Sequence, residues 1–136
     1  MAIKGYTKDN FPHVPVWDVL RIEIVEMGAG EATLIMPFHE KLTNPYGFMH
    51  GSGVYALADS ALAAAIASIV KEGKHFLTVE MKINYFEPVT TGIVKARAKV
   101  LRQGRIMPGE VDLFSENKLI AKAIGTYIIV DENKKS

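Results

Sequence analysis

Cysteine is absent from the sequence of 136 residues, which excludes disulfide bonds, cysteine nucleophiles and cysteine metal ligands. Net charge is nearly absent too, because 16 Lys and Arg residues are balanced by 15 Asp and Glu residues, giving +1. So small a charge gives no indication of a nucleic-acid or membrane-surface partner. The N-terminal residues lack a basic segment followed by an apolar core. We therefore expect no signal peptide and a cytoplasmic protein.

Long apolar runs are also scarce, and only the stretch from Val54 to Val70 is comparable in length to a membrane span. It is near the lower limit of about 17–25 residues for a transmembrane helix. The stretch contains Asp59, Ser60 and Ser68, and alanine rather than leucine dominates it. We interpret it as a central helix that protein covers on most sides, and we expect no membrane association.

An apolar content of 49% and this chain length are typical of one globular domain over residues 1–136. Pro12 and Pro15 limit regular structure in residues 1–20, where we expect an irregular segment, a short helix or a packing strap that ends near Leu20. Residues 131–136 are polar and predict a solvated tail. One helix is predicted over 52–70, with Gly73 near its end.

Alternation of apolar and polar residues predicts strands over 21–27, 31–38, 77–86, 93–102, 105–114 and 119–130. In the third strand it places Val79 and Met81 on one face and Thr78 and Glu80 on the other. The pair Pro108-Gly109 predicts a bulge or a sheet edge in the fifth strand. The element order predicts an α+β fold in which a curved antiparallel sheet of about six strands wraps around one long helix.

The start of the predicted helix contains Gly51, Ser52 and Gly53, preceded by His50. Free N–H groups in the first turn of a helix attract negative charge, and glycine lets another group approach the backbone closely. These residues therefore form either an oxyanion site or a simple turn in which Ser52 caps the helix. His50 has three possible roles, which are to bind a ligand, to hold the loop or to act in catalysis.

Asp59 is the only carboxylate in the helix. It either bonds to a neighbouring serine or loop amide, or it acts as a general base or nucleophile. Gly51 and Asp59 are separated by about 12 Å of helix rise, which is too far for both to act on one carbon atom from the same helix. If both act on one substrate, they come from two protomers whose helices are antiparallel. This geometry predicts a two-fold dimer with two composite sites.

The four histidines show no tight metal-binding spacing, and the sequence has no phosphate-binding P-loop and no G-x-S-x-G motif. Asn44 either donates its amide to a carbonyl group or shapes the Asn-Pro turn.

The sequence NPYGFMHGSGVYALAD, from Asn44 to Asp59, resembles the motif of hotdog-fold acyl-CoA thioesterases. In the phenylacetic-acid-degradation type, the motif is N-x-x-G-x-x-H-G-G, followed by an Asp on the central helix. The resemblance covers roughly residues 20–130 and includes INYFEPVTTG after the helix and RQGR in a later turn. It implies an acyl-CoA thioesterase that produces a free acid and CoA.

The resemblance also implies a role for each matching residue. Asp59 would activate water or attack the thioester, and the Gly51 N–H would polarise its carbonyl group. Asn44 would position the carbonyl group or the water, and His50 would support that loop. Thr78 matches a position where related enzymes place Ser or Thr near the attacking water. In the family, the Asp and the glycine of one site belong to different subunits.

This chain departs from the family motif at Ser52, which replaces the second glycine. Serine retains the backbone N–H, so the departure concerns the shape of the substrate pocket more than the catalytic assignment. Arg102 and Arg105 flank a turn where related enzymes contact the CoA nucleotide, and Lys82 is a further candidate for phosphate binding. Each of these basic side chains is equally consistent with an ordinary solvated surface.

The resemblance implies a homo-oligomer, either a dimer or a dimer of dimers, that needs neither a metal nor a separate cofactor because CoA is part of the substrate. Two other functions remain open. One is a hotdog protein that binds acyl-CoA without turnover, and the other is a hotdog dehydratase or hydratase.

Overall fold

The computed structural model describes residues 5–130, and the predicted tail at 131–136 lies outside them. The helices are α1 (Pro15–Leu20) and α2 (Gly51–Ala67), with a single 3-10 turn at Glu40–Leu42. The strands are β1 (Glu23–Gly28), β2 (Glu31–Pro37), β3 (His75–Tyr85), β4 (Ile93–Val100), β5 (Ile106–Ser115) and β6 (Lys118–Val130). The short helix predicted within residues 1–20 is therefore present as α1.

The six strands form one antiparallel sheet in the order β1-β2-β4-β5-β6-β3, which confirms the predicted α+β hotdog architecture. Short turns join the consecutive pairs, and at the β1–β2 turn both Ala29 and Gly30 have the positive φ angles that tight hairpins require. β3 is the exception. It follows α2 in the chain and pairs with β6 at the far edge of the sheet, so it lies next to neither β2 nor β4.

Helix α2 lies against the concave face of the sheet and supplies much of the core. Ten of its residues are buried, and five of these are alanine, so the sheet approaches the helix backbone closely. The buried side chains Leu57, Leu62 and Ile66 pack among inward-facing residues of the strands, such as Leu34 and Val111. The interpretation of this apolar stretch as a central helix is confirmed.

Two paired glycines on β5 and β6, Gly109 and Gly125, create a recess for Leu62 of α2. A Cβ atom at Gly109 would lie 2.3 Å from a Leu62 methyl group, and one at Gly125 would lie 3.3 Å from the other. Any larger residue at Gly109 would require Leu62 to move, and its Cβ atom would also lie 3.0 Å from the Lys99 carbonyl oxygen. The close approach of α2 to these strands therefore depends on glycine.

The expected bulge or edge at Pro108 is wrong. β5 pairs regularly with β4 on one side and β6 on the other at this point, and its irregularity lies further along, between Leu113 and Phe114. Pro108 lacks an N–H, but its carbonyl accepts a hydrogen bond from the Leu101 N–H at 2.9 Å, so the ladder continues. Gly109 serves the packing of Leu62 rather than a bulge.

The two edges of the sheet differ in character. β1 is short, carries Glu23 and Glu26, and is interrupted by an irregularity after Ile24, all of which discourage further strand pairing. β3 has 11 residues and leaves apolar side chains in solvent, including Leu77 at 59% and Val79 at 58% of their full exposure. A long apolar edge of this kind is suited to pairing with another strand.

Within residues 5–130, no helix has the length and apolar character needed to cross a membrane. A single domain over the whole chain and a cytoplasmic location stay predictions.

Candidate active site

Asp59 lies in the middle of α2 and is half-buried against β3 and β6. Its Oδ1 atom accepts a hydrogen bond from the Thr78 hydroxyl at 2.9 Å. The same oxygen accepts a hydrogen bond from the Tyr127 hydroxyl, which also lies 2.9 Å from the backbone carbonyl of Asp59. Two hydroxyl donors thus hold one carboxylate oxygen. Neither the serine nor the loop amide considered from the sequence provides these contacts.

Thr78 reaches Asp59 because of a β-bulge. Simple alternation predicts that Thr78 shares a face with Glu80, and that prediction is wrong. The register of β3 against β6 shifts between Thr78 and Glu80, with Val79 as the additional residue. Thr78 therefore pairs with Tyr127 and faces inward, as does Met81 beyond the bulge, which pairs with Gly125.

Tyr127 is a site residue that the sequence reasoning missed. On β6 it follows Ala121, Ala123 and Gly125 on the inward face, so alternation marks it as part of the core and does not reveal a polar role. Burial, and next the negative charge of Asp59, raise the pKa of the Tyr127 hydroxyl far above its ordinary value of 10.0. Tyr127 therefore remains a neutral hydrogen-bond donor throughout the physiological pH range.

His50 is the N-cap of α2. Its Nδ1 atom accepts a hydrogen bond from the Ser52 N–H at 3.0 Å and lies 2.7 Å from the Ser52 hydroxyl. The carbonyl of His50 accepts the Gly53 N–H at 2.9 Å. Of the three open roles, these contacts support holding the loop. They also show that Ser52 is not the cap, because it occupies the second position of the helix.

The Gly51 N–H differs from its neighbours in the first turn. Among residues 5–130, the Gly51 N–H donates no hydrogen bond, whereas the N–H groups of Ser52 and Gly53 are both bonded to His50. The Gly51 carbonyl instead accepts a hydrogen bond from the Tyr85 hydroxyl at 2.7 Å. A helix N-terminus with one free N–H group is suited to hold a negatively charged oxygen.

Asn44 shapes the loop that precedes this helix. Its Oδ1 atom accepts hydrogen bonds from the N–H groups of Tyr46 at 2.9 Å and Phe48 at 3.1 Å. The backbone closes the same turn, because the Asn44 N–H donates to the Phe48 carbonyl at 2.8 Å. These contacts support the second of the two roles considered for Asn44, in which its side-chain oxygen shapes the turn. A role for the side-chain amide nitrogen toward substrate stays a prediction.

Helix α2 runs alongside the edge strand β3, and the two are antiparallel. Three hydrogen bonds join them: Tyr85 to the Gly51 carbonyl at 2.7 Å, Tyr55 to the Met81 carbonyl at 3.0 Å, and Thr78 to Asp59 at 2.9 Å. The helical positions are four residues apart and therefore lie on one face. Gly51 and Asp59 thus occupy opposite ends of the same helix–strand contact.

The predicted site residues therefore fall into separate groups. Asp59 and Thr78 are brought together, while Asn44, His50, Gly51 and Ser52 cluster at the helix start. Arg102 and Arg105 are exposed in the turn between β4 and β5, and Lys82 is exposed on β3. None of these three basic residues contacts either group, and their role in binding stays a prediction. Among residues 5–130, no three His, Asp or Glu side chains are placed to hold a metal ion.

A cleft of about 480 Å³ opens beside Asp59. Its lining includes Ser60, Ala63 and Ala67 of α2, aromatic side chains of the N-terminal segment, and Phe76 and Leu77 of β3. Tyr127 also borders it, so one of the two hydroxyl groups that hold Asp59 lies at the cleft. The size and the mainly apolar lining are typical of small-molecule sites.

Comparisons with known proteins agree with this geometry. Residues 46–118 match the model of the thioesterase superfamily. The chain is 31% identical over 121 residues to a presumed esterase from Saccharolobus solfataricus, with 86% of this chain and 79% of the relative covered.

Two solved structures have the same fold. A thioesterase from Haemophilus influenzae superposes with a TM-score of 0.82 at 29% identity, covering 88% of this chain and 85% of that one. A phenylacetic acid degradation protein from Thermus thermophilus superposes with a TM-score of 0.78 at 29% identity, covering 85% and 98%. The chain belongs to the thioesterase superfamily, in its hotdog-fold phenylacetic-acid-degradation type, and is a thioester hydrolase.

Proposed function

We propose that this thioesterase hydrolyses acyl-CoA at composite sites, each formed by Asp59 of one protomer and the Gly51 N–H of its partner. The observation that carries the proposal is the separation of these two groups along α2. A carboxylate lies at one end and an unbonded N–H group at the other, about 12 Å of helix rise apart. Because no single helix can present both to one carbonyl carbon, a second copy must complete the site.

The edge strand β3 supports a specific arrangement of the two copies. An antiparallel pairing of β3 with the same strand of a second protomer, about a two-fold axis near Met81 and Lys82, reverses the direction of the partner's α2. The Asp59 end of one helix then lies beside the Gly51 end of the other. Each pair of protomers contains two such sites, as two-fold symmetry requires.

The chemical character of β3 supports the same pairing. Its outer edge has unpaired backbone groups, and Leu77, Val79 and the adjacent Phe86 are each more than half exposed, at 59%, 58% and 54%. Burial of this apolar surface favours association. Further association into a dimer of dimers is proposed only from the family resemblance.

In the proposed reaction, Asp59 takes a proton from a water molecule as the water oxygen attacks the thioester carbonyl carbon. The carbonyl oxygen becomes negatively charged, and the partner's Gly51 N–H stabilises it. The tetrahedral intermediate then collapses, the carbon–sulfur bond breaks, and the proton passes to the leaving CoA thiolate. Hydrogen bonds from Thr78 and Tyr127 occupy Oδ1 of Asp59 and leave Oδ2 to face the water.

Direct attack by Asp59 is the other route that the site allows, with a mixed anhydride as intermediate. A single turnover in water enriched in oxygen-18 detects this second route if the anhydride is hydrolysed at the Asp59 carbon. General-base catalysis puts the heavy oxygen into the free acid in the first turnover. Attack by Asp59, followed by hydrolysis at the Asp59 carbon, gives an unlabelled acid at first and a labelled protein.

The CoA portion of the substrate is proposed from the resemblance to acyl-CoA thioesterases. The pyrophosphate and the 3′-phosphate of CoA need cationic partners, and the exposed Arg102, Arg105 and Lys82 are suitable ones. Arg105 lies at the end of the sheet where β3 begins, because its carbonyl bonds to the Ile129 N–H and the adjacent Ile128 pairs with Leu77. The proposed reaction requires no metal ion or separate cofactor.

The test of the proposal is Asp59→Asn, assayed by thiol release on a panel of acyl-CoA thioesters. We expect kcat to decrease by about 10²–10⁴-fold, the usual contribution of a general base. Glu26→Gln is the matched control, because it removes the same charge from an exposed position on β1 away from the cleft, and its kcat should equal that of the wild type. A wild-type kcat in Asp59→Asn, on the thioester that the wild type hydrolyses fastest, would refute the assignment.

A further inference from the structure

We infer that the N-terminal segment of residues 6–17, here called the aromatic strap, forms the wall of the acyl-binding pocket and selects apolar acyl groups. The inference rests on the proposed function, because it takes Asp59 as the group that marks where the thioester lies. It concerns the acyl half of the substrate, which the catalytic groups themselves do not define. The evidence is the attachment of the strap, the stacking of its rings and the cleft that it encloses.

The strap is attached to α2 at both ends. Near its start, the Tyr6 N–H donates to the Ala67 carbonyl at 2.8 Å. At its other end, the Trp17 Nε1–H donates to the Ser60 hydroxyl at 2.9 Å. Ser60 and Ala67 are two helical turns apart on one side of α2. The strap therefore runs along the helix and ends next to Asp59.

The rings of the strap support one another. Phe11 and Trp17 are stacked, with centroids 5.2 Å apart and planes inclined by only 5°. Tyr6 meets Phe11 edge-on at 6.2 Å. Such ring contacts stabilise an arrangement beyond the burial of surface alone. The strap thus presents a firm apolar wall even though only its last three residues, at the start of α1, are helical.

The cleft between the strap and the helix is shaped for an apolar group. The small residues Ala63 and Ala67 form its floor, and Phe76 and Leu77 of β3 form another wall. The Ser60 hydroxyl is engaged by Trp17, so it offers little to a polar ligand. The cleft continues to Asp59 and Tyr127, which places an acyl chain in it with its thioester carbon at the proposed site.

Substitution of the strap tests this inference through selectivity. We expect Trp17→Ala and Phe11→Ala to lower kcat/KM for hexanoyl-CoA about tenfold or more, and to lower kcat/KM for acetyl-CoA much less, since acetyl has only one methyl group with which to contact the strap. Benzoyl-CoA shows whether the pocket favours a chain or a ring. Val19→Ala is the matched control, because Val19 lies on α1 outside the cleft and is 77% exposed.

A binding measurement separates this inference from the proposed function. Trp17 is the only tryptophan, so its fluorescence reports directly on the strap. In Asp59→Asn, hexanoyl-CoA should change the emission saturably, whereas CoA without an acyl group should not. Ser60→Ala, which releases the Trp17 ring, should weaken this binding.

The outcomes are distinct. Unchanged hexanoyl-to-acetyl ratios in correctly folded strap variants, or equal emission changes with CoA and hexanoyl-CoA, would overturn the role of the strap even if the wild type is active. A selective emission change without thiol release from any thioester would support the strap and refute the proposed hydrolysis.

Discussion

At the scale of single residues, the site depends on a carboxylate whose position is fixed by hydroxyl groups from two strands. Thr78 and Tyr127 both donate to Oδ1 of Asp59. The Tyr127 hydroxyl also contacts the backbone carbonyl of Asp59, so it links the carboxylate to the backbone of the same residue. The orientation of a general base decides which proton it can remove. In the proposed reaction, both hydroxyl groups are therefore positioning groups, and they act through Asp59 rather than on the substrate.

The raised pKa of Tyr127 predicts a pH-dependent stability. In the unfolded chain a tyrosine loses its proton near pH 10, but in the folded protein burial and Asp59 keep Tyr127 neutral. The stabilising contribution of Tyr127 is therefore complete below pH 10 and decreases as the pH rises above it, by up to about 1.4 kcal/mol per pH unit. The difference in free energy of unfolding between the wild type and Tyr127→Phe should decrease from pH 9 to pH 11, measured by urea denaturation.

Tyr46→Phe is the control for this experiment, because Tyr46 is 80% exposed. Its free energy of unfolding should follow that of the wild type at every pH. A difference between the wild type and Tyr127→Phe that stays constant up to pH 11 would contradict the predicted effect of burial.

At the scale of elements, helix α2 carries both groups of the proposed chemistry, Asp59 and the Gly51 N–H, and its first residue allows a sharp test. Gly51 is the first helical residue, where proline is well tolerated because the N–H there has no partner within the helix. The preceding His50 has φ −62° and ψ 140°, an extended conformation that proline permits in the residue before it. Proline at this position therefore removes the N–H group and preserves the helix.

We predict that Gly51→Pro lowers kcat by about 10²–10³-fold, the usual cost of losing an oxyanion donor. Gly51→Ala is the matched control. It introduces a Cβ atom in the same place, 3.1 Å from the Tyr85 hydroxyl, but retains the N–H. A small shift of the Tyr85 side chain relieves that contact, so most of the activity should remain. Equal losses of kcat in the two variants would assign the effect to crowding and refute the oxyanion role.

The elements themselves were largely predictable from the sequence. Alternating residues identified all six strands, and the apolar stretch identified α2, because each pattern follows directly from one buried face. Pro108 was misinterpreted because its local chemistry indicates an edge. The fold places it in an interior strand, where Gly109 makes room for Leu62 of a distant element. Packing between segments far apart in sequence cannot be deduced from the residues around a proline.

The site was predictable to a smaller extent. Asp59, Gly51 and Thr78 were found from their chemistry or from a family motif, but the bulge at Val79 that turns Thr78 inward leaves no local signal. Tyr127 was missed because inward-facing aromatic residues in strands are usually core residues. Its role exists only because β6 brings its hydroxyl to a carboxylate on α2. The sequence predicted an irregular segment, a short helix or a packing strap in residues 1–20, but it did not indicate that this segment borders the site.

At the scale of the whole molecule, the edge strand β3 is the surface where a second protomer would pair and complete the proposed site. The helix and the strand run side by side, so pairing at the β3 edge brings two helices together in opposite directions. In the proposed arrangement, activity requires association of two copies, even though each copy contains every residue type that the chemistry needs.

Complementation tests this arrangement. Asp59→Asn and Gly51→Pro chains, unfolded together and refolded as a mixture in equal amounts, should regain about one quarter of the wild-type sites, because half of the dimers are mixed and each mixed dimer has one intact site. Refolding each variant separately controls for the procedure and should restore nothing. A mixture as inactive as its components would contradict sites shared between protomers.

The recess formed by Gly109 and Gly125 has a consequence for how the protein can evolve. Leu62 enters it from α2 one helical turn beyond Asp59, so the recess sets both the rotation and the axial position of the helix. The position of the Asp59 carboxylate thereby depends on an apolar contact, between Leu62 and the two glycines, on the buried face of the sheet. A substitution at Gly109 that moves Leu62 would therefore act on the reacting group from a distance, which limits the residues that can evolve at this position.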